Sequence, residues 1–156
     1  MKQVRRVITG EELDGRSRIV AIDHVDAVAI AGIRLFPLWG VPSVPVPLPA
    51  TGLEGPGNAK GAGIVRTAIG VLPANRLVGG GDSHLTFDEE GFHRTDSVDV
   101  AYVISGSVLL RVPGEPDTML NAGDCVVQNG ARHAWLNQGD EDAVILWVWV
   151  KGARAD

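Results

Sequence analysis

Cysteine is nearly absent from this chain: Cys125 is the only one in 156 residues, so no disulfide can form within it. Met1 is followed by charged residues and not by the apolar stretch of a signal peptide, so secretion has no support and the cytoplasm is the expected compartment. Runs of lysine or arginine are also missing. With 19 acidic against 14 basic side chains the net charge is −5, which predicts neither a nucleic-acid partner nor an anionic membrane surface. Long apolar stretches are lacking too: the longest, from Ala143 to Val150, is far shorter than the roughly 20 residues a membrane helix needs, and it predicts a buried strand. Finally, no segment sustains the i, i+3, i+4, i+7 apolar spacing of an amphipathic helix.

What remains is a folded, mostly β chain. Apolar residues make up 45% and charged residues 21%, enough for one core, and the length fits a single domain. Short β-rich runs recur between turn residues, predicting strands at 18–22, 27–39 with a break near Gly32, 64–72, 83–87, 97–104, 108–112, 118–120, 125–128, 134–137 and 143–150. Ser105-Gly106, Pro113-Gly114, Asn129-Gly130 and Gly139-Asp140 supply turns between them. Many short strands with regular turns predict a sandwich or barrel. The first half is less regular. Pro42, Pro45, Pro47 and Pro49 alternate with Val44, Val46 and Leu48, the pattern of an extended rim segment, and residues 50–63 are glycine-rich loop chemistry. A boundary near residue 80 divides N-terminal strands, proline-rich rim and loop (1–80) from a barrel core (81–151) of the same domain.

Period-two alternation puts His93, Thr95, Ser97 and Asp99 on one face of a strand, and His133, Trp135 and Asn137 on one face of a later strand. If those strands pair, His93, Asp99 and His133 come together. Two imidazoles and a carboxylate suit a divalent transition metal; the same polar residues could equally line a wet cavity. Cys125, inside an apolar run, predicts a small core residue, and Asp88, Glu89 and Glu90 a solvated turn. Trp147 and Trp149 share one face of the last strand while Val148 and Val150 share the other. Both faces should therefore be covered, one by a second sheet and one by a partner subunit or an N-terminal arm.

The segments His93 to Gly106 and Gly123 to Asn137 resemble the two motifs of the cupin superfamily. In the first, His93 matches a ligand histidine, Thr95 stands where a second histidine is usual, Asp99 stands for glutamate, and Gly106 closes the motif. In the second, Gly123, His133 and Asn137 match, with Asn129 in a proline's place and a segment one residue short. The run His-Arg-Thr-Asp, then Gly-Asp-x-Val-Val-Gln-Asn-Gly and His-Ala-Trp, is similar to a subgroup of small single-domain bacterial and fungal cupins found with catabolic or polyketide-biosynthetic enzymes.

The resemblance implies an all-β cupin-type double-stranded β-helix (a jelly-roll barrel) with an irregular N-terminal arm. It implies a divalent metal, Fe, Ni, Zn or Mn, held by His93, Asp99 and His133. Around the metal it implies a small-molecule pocket with Thr95, Ser97, Trp135 and Asn137, and a homodimer. The function implied is a metal-dependent lyase-type step, decarboxylation or dehydration, on an organic acid or an aromatic, polyketide-like substrate. The alternatives are a non-haem iron dioxygenase, a cupin that binds a ligand without metal or catalysis, and metal-free acid–base catalysis by His93 or His133. Asp96 and His84 are minor alternative ligands, and His24 lies outside the resemblance.

Overall fold

The computed structural model describes residues 2–11, 17–41, 44, 64–79 and 85–153. His84 and most of the proline- and glycine-rich segment at 42–63 lie outside them. The described residues are all β. A hairpin of β1 (Gln3–Glu11) and β2 (Ser17–Asp26) leads to β3 (Val28–Ile30), β4 (Ile33–Val41), β5 (Val65–Leu72) and the two-residue β6 (Arg76–Leu77). Then follow β7 (Ser97–Ser105), β8 (Ser107–Arg111), β9 (Thr118–Asn121), β10 (Cys125–Asn129), β11 (Ala134–Asn137) and β12 (Ala143–Lys151). Among them no helix is long and apolar enough to cross a membrane.

Two antiparallel sheets make the body, one of order β10-β7-β12-β5-β4-β3 and one of order β6-β11-β8-β9. The predicted strands recur in all but one case. Residues 85–87 of the predicted 83–87 strand are not in a strand; Phe87 instead packs its ring on His93, with centroids 4.5 Å apart. The break near Gly32 is a two-residue hairpin turn in which Ala31 and Gly32 both take positive φ, 51° and 77°, the twist-compatible geometry for linking adjacent strands.

The inner faces meet in one core that includes Leu72, Ala101, Val103, Val108, Ala143 and Ile145. Alternation along β12 sends Ile145 and Trp147 into it, and the neighbours of Trp147 are small: Ala68 on β5 and Ala101 on β7 sit directly beside it. Gly70 makes the indole's position possible, since a Cβ there would lie 2.2 Å from Trp147 Cζ3. Here glycine supplies space, not conformational freedom.

The N-terminal arm is more regular than the sequence suggests. β1 and β2 pair along their length, and Arg6 fastens them to the body, with Nη2 2.5 Å from Asp23 Oδ2 and Nη1 donating to the Leu38 carbonyl at 2.6 Å. Val25 then joins Phe36 and Val71 in a second cluster on the outer face of the larger sheet. This cover stops short of β7 and β10: Val98, Tyr102, Ile104, Val127 and Val150 stay exposed. The larger sheet also draws three of its six strands from before residue 81, so the barrel is not confined to 81–151. Cys125 is exposed and not a core residue, because in β10 the inward positions fall to Val126 and Gln128.

Candidate functional site

His93 and His133 meet by backbone pairing. Each peptide N–H donates to the other residue's carbonyl, at 2.9 and 3.0 Å, an isolated antiparallel bridge that brings the imidazole centroids to 4.4 Å. His133 Nδ1 lies 2.8 Å from the Ala131 carbonyl. A carbonyl only accepts, so Nδ1 carries the proton and Nε2 keeps a free lone pair. His93 makes a longer contact of the same kind, 3.5 Å to the Gly91 carbonyl. Burial, and then the neighbouring His133, push the His93 pKa down from 6.5 to about 4. His133 is lowered as well, by burial, against the opposing pull of the Ala131 carbonyl and Asp99. Both rings are therefore neutral near pH 7.

Strand register builds the opposite wall. Arg66 on β5 faces Trp149 on β12, Trp149 faces Asp99 on β7, and Asp99 faces Gln128 on β10. Four strands thus contribute one row, and all four side chains line the same cavity as His93, Thr95, His133, Trp135 and Trp147. Ring contacts run unbroken along it: Phe87 to His93, His93 to His133, His133 to Trp135 at 6.1 Å, Trp135 to Trp147 at 6.2 Å, and Trp147 stacked on Trp149 at 6.1 Å. The Arg66 guanidinium ends the series, 5.2 Å above the Trp149 ring. The cavity measures about 100 Å³. That is well under the roughly 300–1,000 Å³ of drug-sized sites, so it suits a ligand of about one ring.

Asp99 is buried and accepts from two hydroxyls, Thr95 Oγ1 at 3.1 Å on Oδ2 and Ser97 Oγ on Oδ1. Among the described residues no three His, Cys, Asp or Glu side chains gather closely enough to hold a metal ion. The imidazoles face each other, while Asp99 is held by its hydroxyl neighbours.

Of the residues singled out from sequence, His93, Thr95, Asp99, His133 and Trp135 line one cavity, and Ser97 and Asn137 do not. Ser97 is buried behind Asp99 and fixes its carboxylate. Asn137 corrects the pocket assignment. It is fully buried at a turn, donating Nδ2 to the Leu72 and Glu141 carbonyls at 3.0 and 2.9 Å and accepting from Gly139 N at 2.9 Å, so it ties β11 to the turn before β12. Asp96 is exposed, as is His24. Arg66 and Gln128 were not anticipated. The available signal was a lone arginine and a lone glutamine at inward positions of otherwise apolar strands.

Residues 84–149 match the family described as Cupin domain (Cupin_2). Among curated proteins, Oryzines biosynthesis cluster protein J of Aspergillus oryzae is 41% identical over 49 residues, covering 31% of this chain and 27% of that protein. Phomopsin biosynthesis cluster protein D of Diaporthe leptostromiformis is 36% identical over 50 residues, covering 32% and 26%. The matched stretch thus spans about a quarter of these relatives' length. Among solved structures, a Cupin 2 conserved barrel domain protein from Salinispora arenicola CNS-205 superposes with TM-score 0.53 at 16% identity, covering 81% of this chain and 82% of that one. Ethanolamine utilization protein q from Salmonella typhimurium LT2 gives 0.53 at 12% identity, covering 98% and 100%. At such identities the likeness is one of fold. Residues 84–149 are thus similar to a Cupin domain, and the all-β fold is similar to that of the Cupin 2 barrel protein.

Proposed function

We propose that this chain is a small-molecule enzyme of the cupin kind that uses a divalent transition metal, Fe, Ni, Zn or Mn, for a lyase-type step, decarboxylation or dehydration, on an organic acid or small aromatic substrate. The observation that carries the reading is the pair of neutral imidazoles, His93 and His133, adjoining in an aromatic-walled cavity. Neutral imidazole is the form that ligates metals, and the backbone carbonyl on His133 Nδ1 is the usual means of orienting such a ring. The imidazole pair fits an ion of this class. Asp99 has the right chemistry for the third donor but stands with Thr95 and Ser97. When bound, the ion would act as a Lewis acid on a substrate carbonyl or carboxylate. The chain's own residues do the rest: the carbonyls of Ala131 and Gly91 orient the rings, Trp135, Trp147 and Trp149 hold a flat substrate and exclude water, and the hydroxyls of Thr95 and Ser97 fix the position of the Asp99 carboxyl group.

The same donor set serves non-haem iron oxygenases, and iron as the resident ion would favour that alternative. A second reading has its own support: Asp99, with both oxygens already accepting hydrogen bonds, is arranged as it would be in a metal-free, ligand-binding cupin. The names of the curated relatives, all biosynthesis cluster proteins, support a role in small-molecule synthesis. The exposed apolar strip on β7, β10 and β12 supports a homodimer that covers it.

The test is elemental analysis by plasma mass spectrometry of untagged protein purified without chelator, beside His133→Ala and Asp99→Ala. Near-stoichiometric metal in the wild type, lost in His133→Ala, sustains the metal-enzyme reading, and loss in Asp99→Ala makes the carboxylate a ligand. If no metal is retained and none is taken up on addition, the ligand-binding reading replaces it.

A further inference from the structure

The row Arg66–Trp149–Asp99–Gln128 contains two buried donors with no acceptor among the described residues. Among the described residues, Arg66 Nε and Gln128 Nε2 have no hydrogen-bond partner, although both are shielded from solvent. Gln128 is itself 6% exposed. A buried donor without an acceptor is costly, and native proteins rarely leave one in a cavity wall unless something else satisfies it. Arg66 is the sharper case because it is a cation. The negative group that acts on it is Asp99, yet both Asp99 oxygens are engaged by Thr95 and Ser97. The guanidinium is left against the face of Trp149, which stabilises its charge but accepts no in-plane hydrogen bond.

Gln128 faces the cavity from the far end of the same row. Three strand spacings of about 4.8 Å separate the two backbones, and both side chains reach inward, so one ring with a substituent at each end spans the gap. Between them stand the indole of Trp149, with Trp147 stacked beside it, and then Asp99, whose oxygens are held by Thr95 and Ser97; the indoles offer a flat apolar surface to such a ring.

We infer that Arg66 and Gln128 are the specificity determinants of the cavity, which takes a small planar carboxylic acid, its carboxylate on Arg66, its ring along Trp149 and an oxygen at its opposite end on the Gln128 amide. The inference rests on the reading of this cavity as the substrate site and does not require the metal. It narrows the ligand class from organic acids in general to single-ring acids carrying a distal hydroxyl or carbonyl.

The experiment uses three probes, para-hydroxybenzoate, benzoate and para-hydroxybenzamide, titrated by tryptophan fluorescence with line broadening of the probes' proton resonances as a second readout. It is run with and without EDTA on wild type, Arg66→Met, Arg66→Lys and Gln128→Leu. The wild type is expected to bind para-hydroxybenzoate about tenfold or more tighter than the amide, the scale of one charge-assisted hydrogen bond, and several-fold tighter than benzoate. Arg66→Met should erase the preference for acid over amide, Arg66→Lys should keep part of it, and Gln128→Leu should erase only the preference for the distal hydroxyl. Equal binding of acid and amide by the wild type overturns the inference, as does binding of none of the three at millimolar concentration. Acid binding that survives Arg66→Met but is abolished by EDTA also overturns it, because the carboxylate would then sit on an ion. Acid preference that survives EDTA and falls with Arg66 sustains it whatever the elemental analysis finds. The wild-type comparison needs no variant, so misfolding of one does not remove the test.

Discussion

Mild acid should destabilise this protein through its histidine pair. In the unfolded chain His93 takes up a proton near 6.5, whereas in the fold burial and His133 delay protonation until about 4. Between those values the unfolded state binds more protons than the folded one, so stability rises with pH across the window and is lost as pH falls through it, the loss levelling off only below about 4. At about 1.36 kcal/mol per unit the whole displacement is worth on the order of 3 kcal/mol, of which roughly 2 is lost between about pH 7 and about pH 5. His133, lowered in the same direction, adds to this loss. Asp23 and Asp88 are lowered from 3.8, so their contributions fade only on stronger acidification and lie outside the window. The assay is urea unfolding of EDTA-treated protein at a series of pH values, wild type beside His93→Gln, which keeps a polar but unchargeable side chain. The wild-type midpoint should fall steadily from neutrality to about pH 5, and the variant's slope should be much shallower. A flat wild-type profile over that range, or parallel slopes in the two proteins, would refute the buried, neutral pair.

Gly70→Ala places a methyl against the Trp147 ring, 2.2 Å from Cζ3 and 3.1 Å from Cε3 and Cη2, and should cost about 1–3 kcal/mol as overpacking. Near-UV circular dichroism should change with it, and an unchanged spectrum would mean that the indole lies elsewhere. Asn137→Ala removes the partners of Leu72 O, Glu141 O and Gly139 N and should lower stability by about 2–3 kcal/mol in denaturant titration, without changing which aromatic acid the cavity prefers. Val127→Glu puts a charge in the exposed apolar strip, where Val127 is 58% exposed, and should shift sedimentation toward monomer while leaving the circular dichroism spectrum unchanged.

The histidine pair was legible in sequence because it rests on local rules. Period-two alternation around His93 and His133 needs only the assumption that their segments pair, and a bridge between the two residues makes the pairing. The row of Arg66, Trp149, Asp99 and Gln128 follows no local rule. Its members come from four strands, and their alignment depends on the register of three pairings that hydrophobic pattern alone does not specify. Asn137 shows the converse failure. Parity correctly turned it inward, but inward at a strand end meant a turn with bare carbonyls to satisfy. Cys125 differs for a related reason: an apolar run suggests a core position, whereas among the described strands β10 pairs only with β7, and the alternation along it turns Cys125 outward. β6 escaped notice because two residues carry no periodicity.

β12 stands in the middle of the larger sheet, between β5 and β7, yet of the described strands it is the latest in the chain. In the order of synthesis Arg66, His93, Asp99, Gln128 and His133 are all made before Trp147 and Trp149, which stand on the strand that separates β5 from β7. Until that last-made strand enters, Arg66 has no indole beneath it and the cavity lacks its flat wall. A ligand that binds there therefore acts as a late clasp on the nascent barrel, favouring those chains in which β12 has entered in register. Its presence in the growing cell should raise the yield of folded protein to the extent set by its concentration and its affinity for the finished barrel.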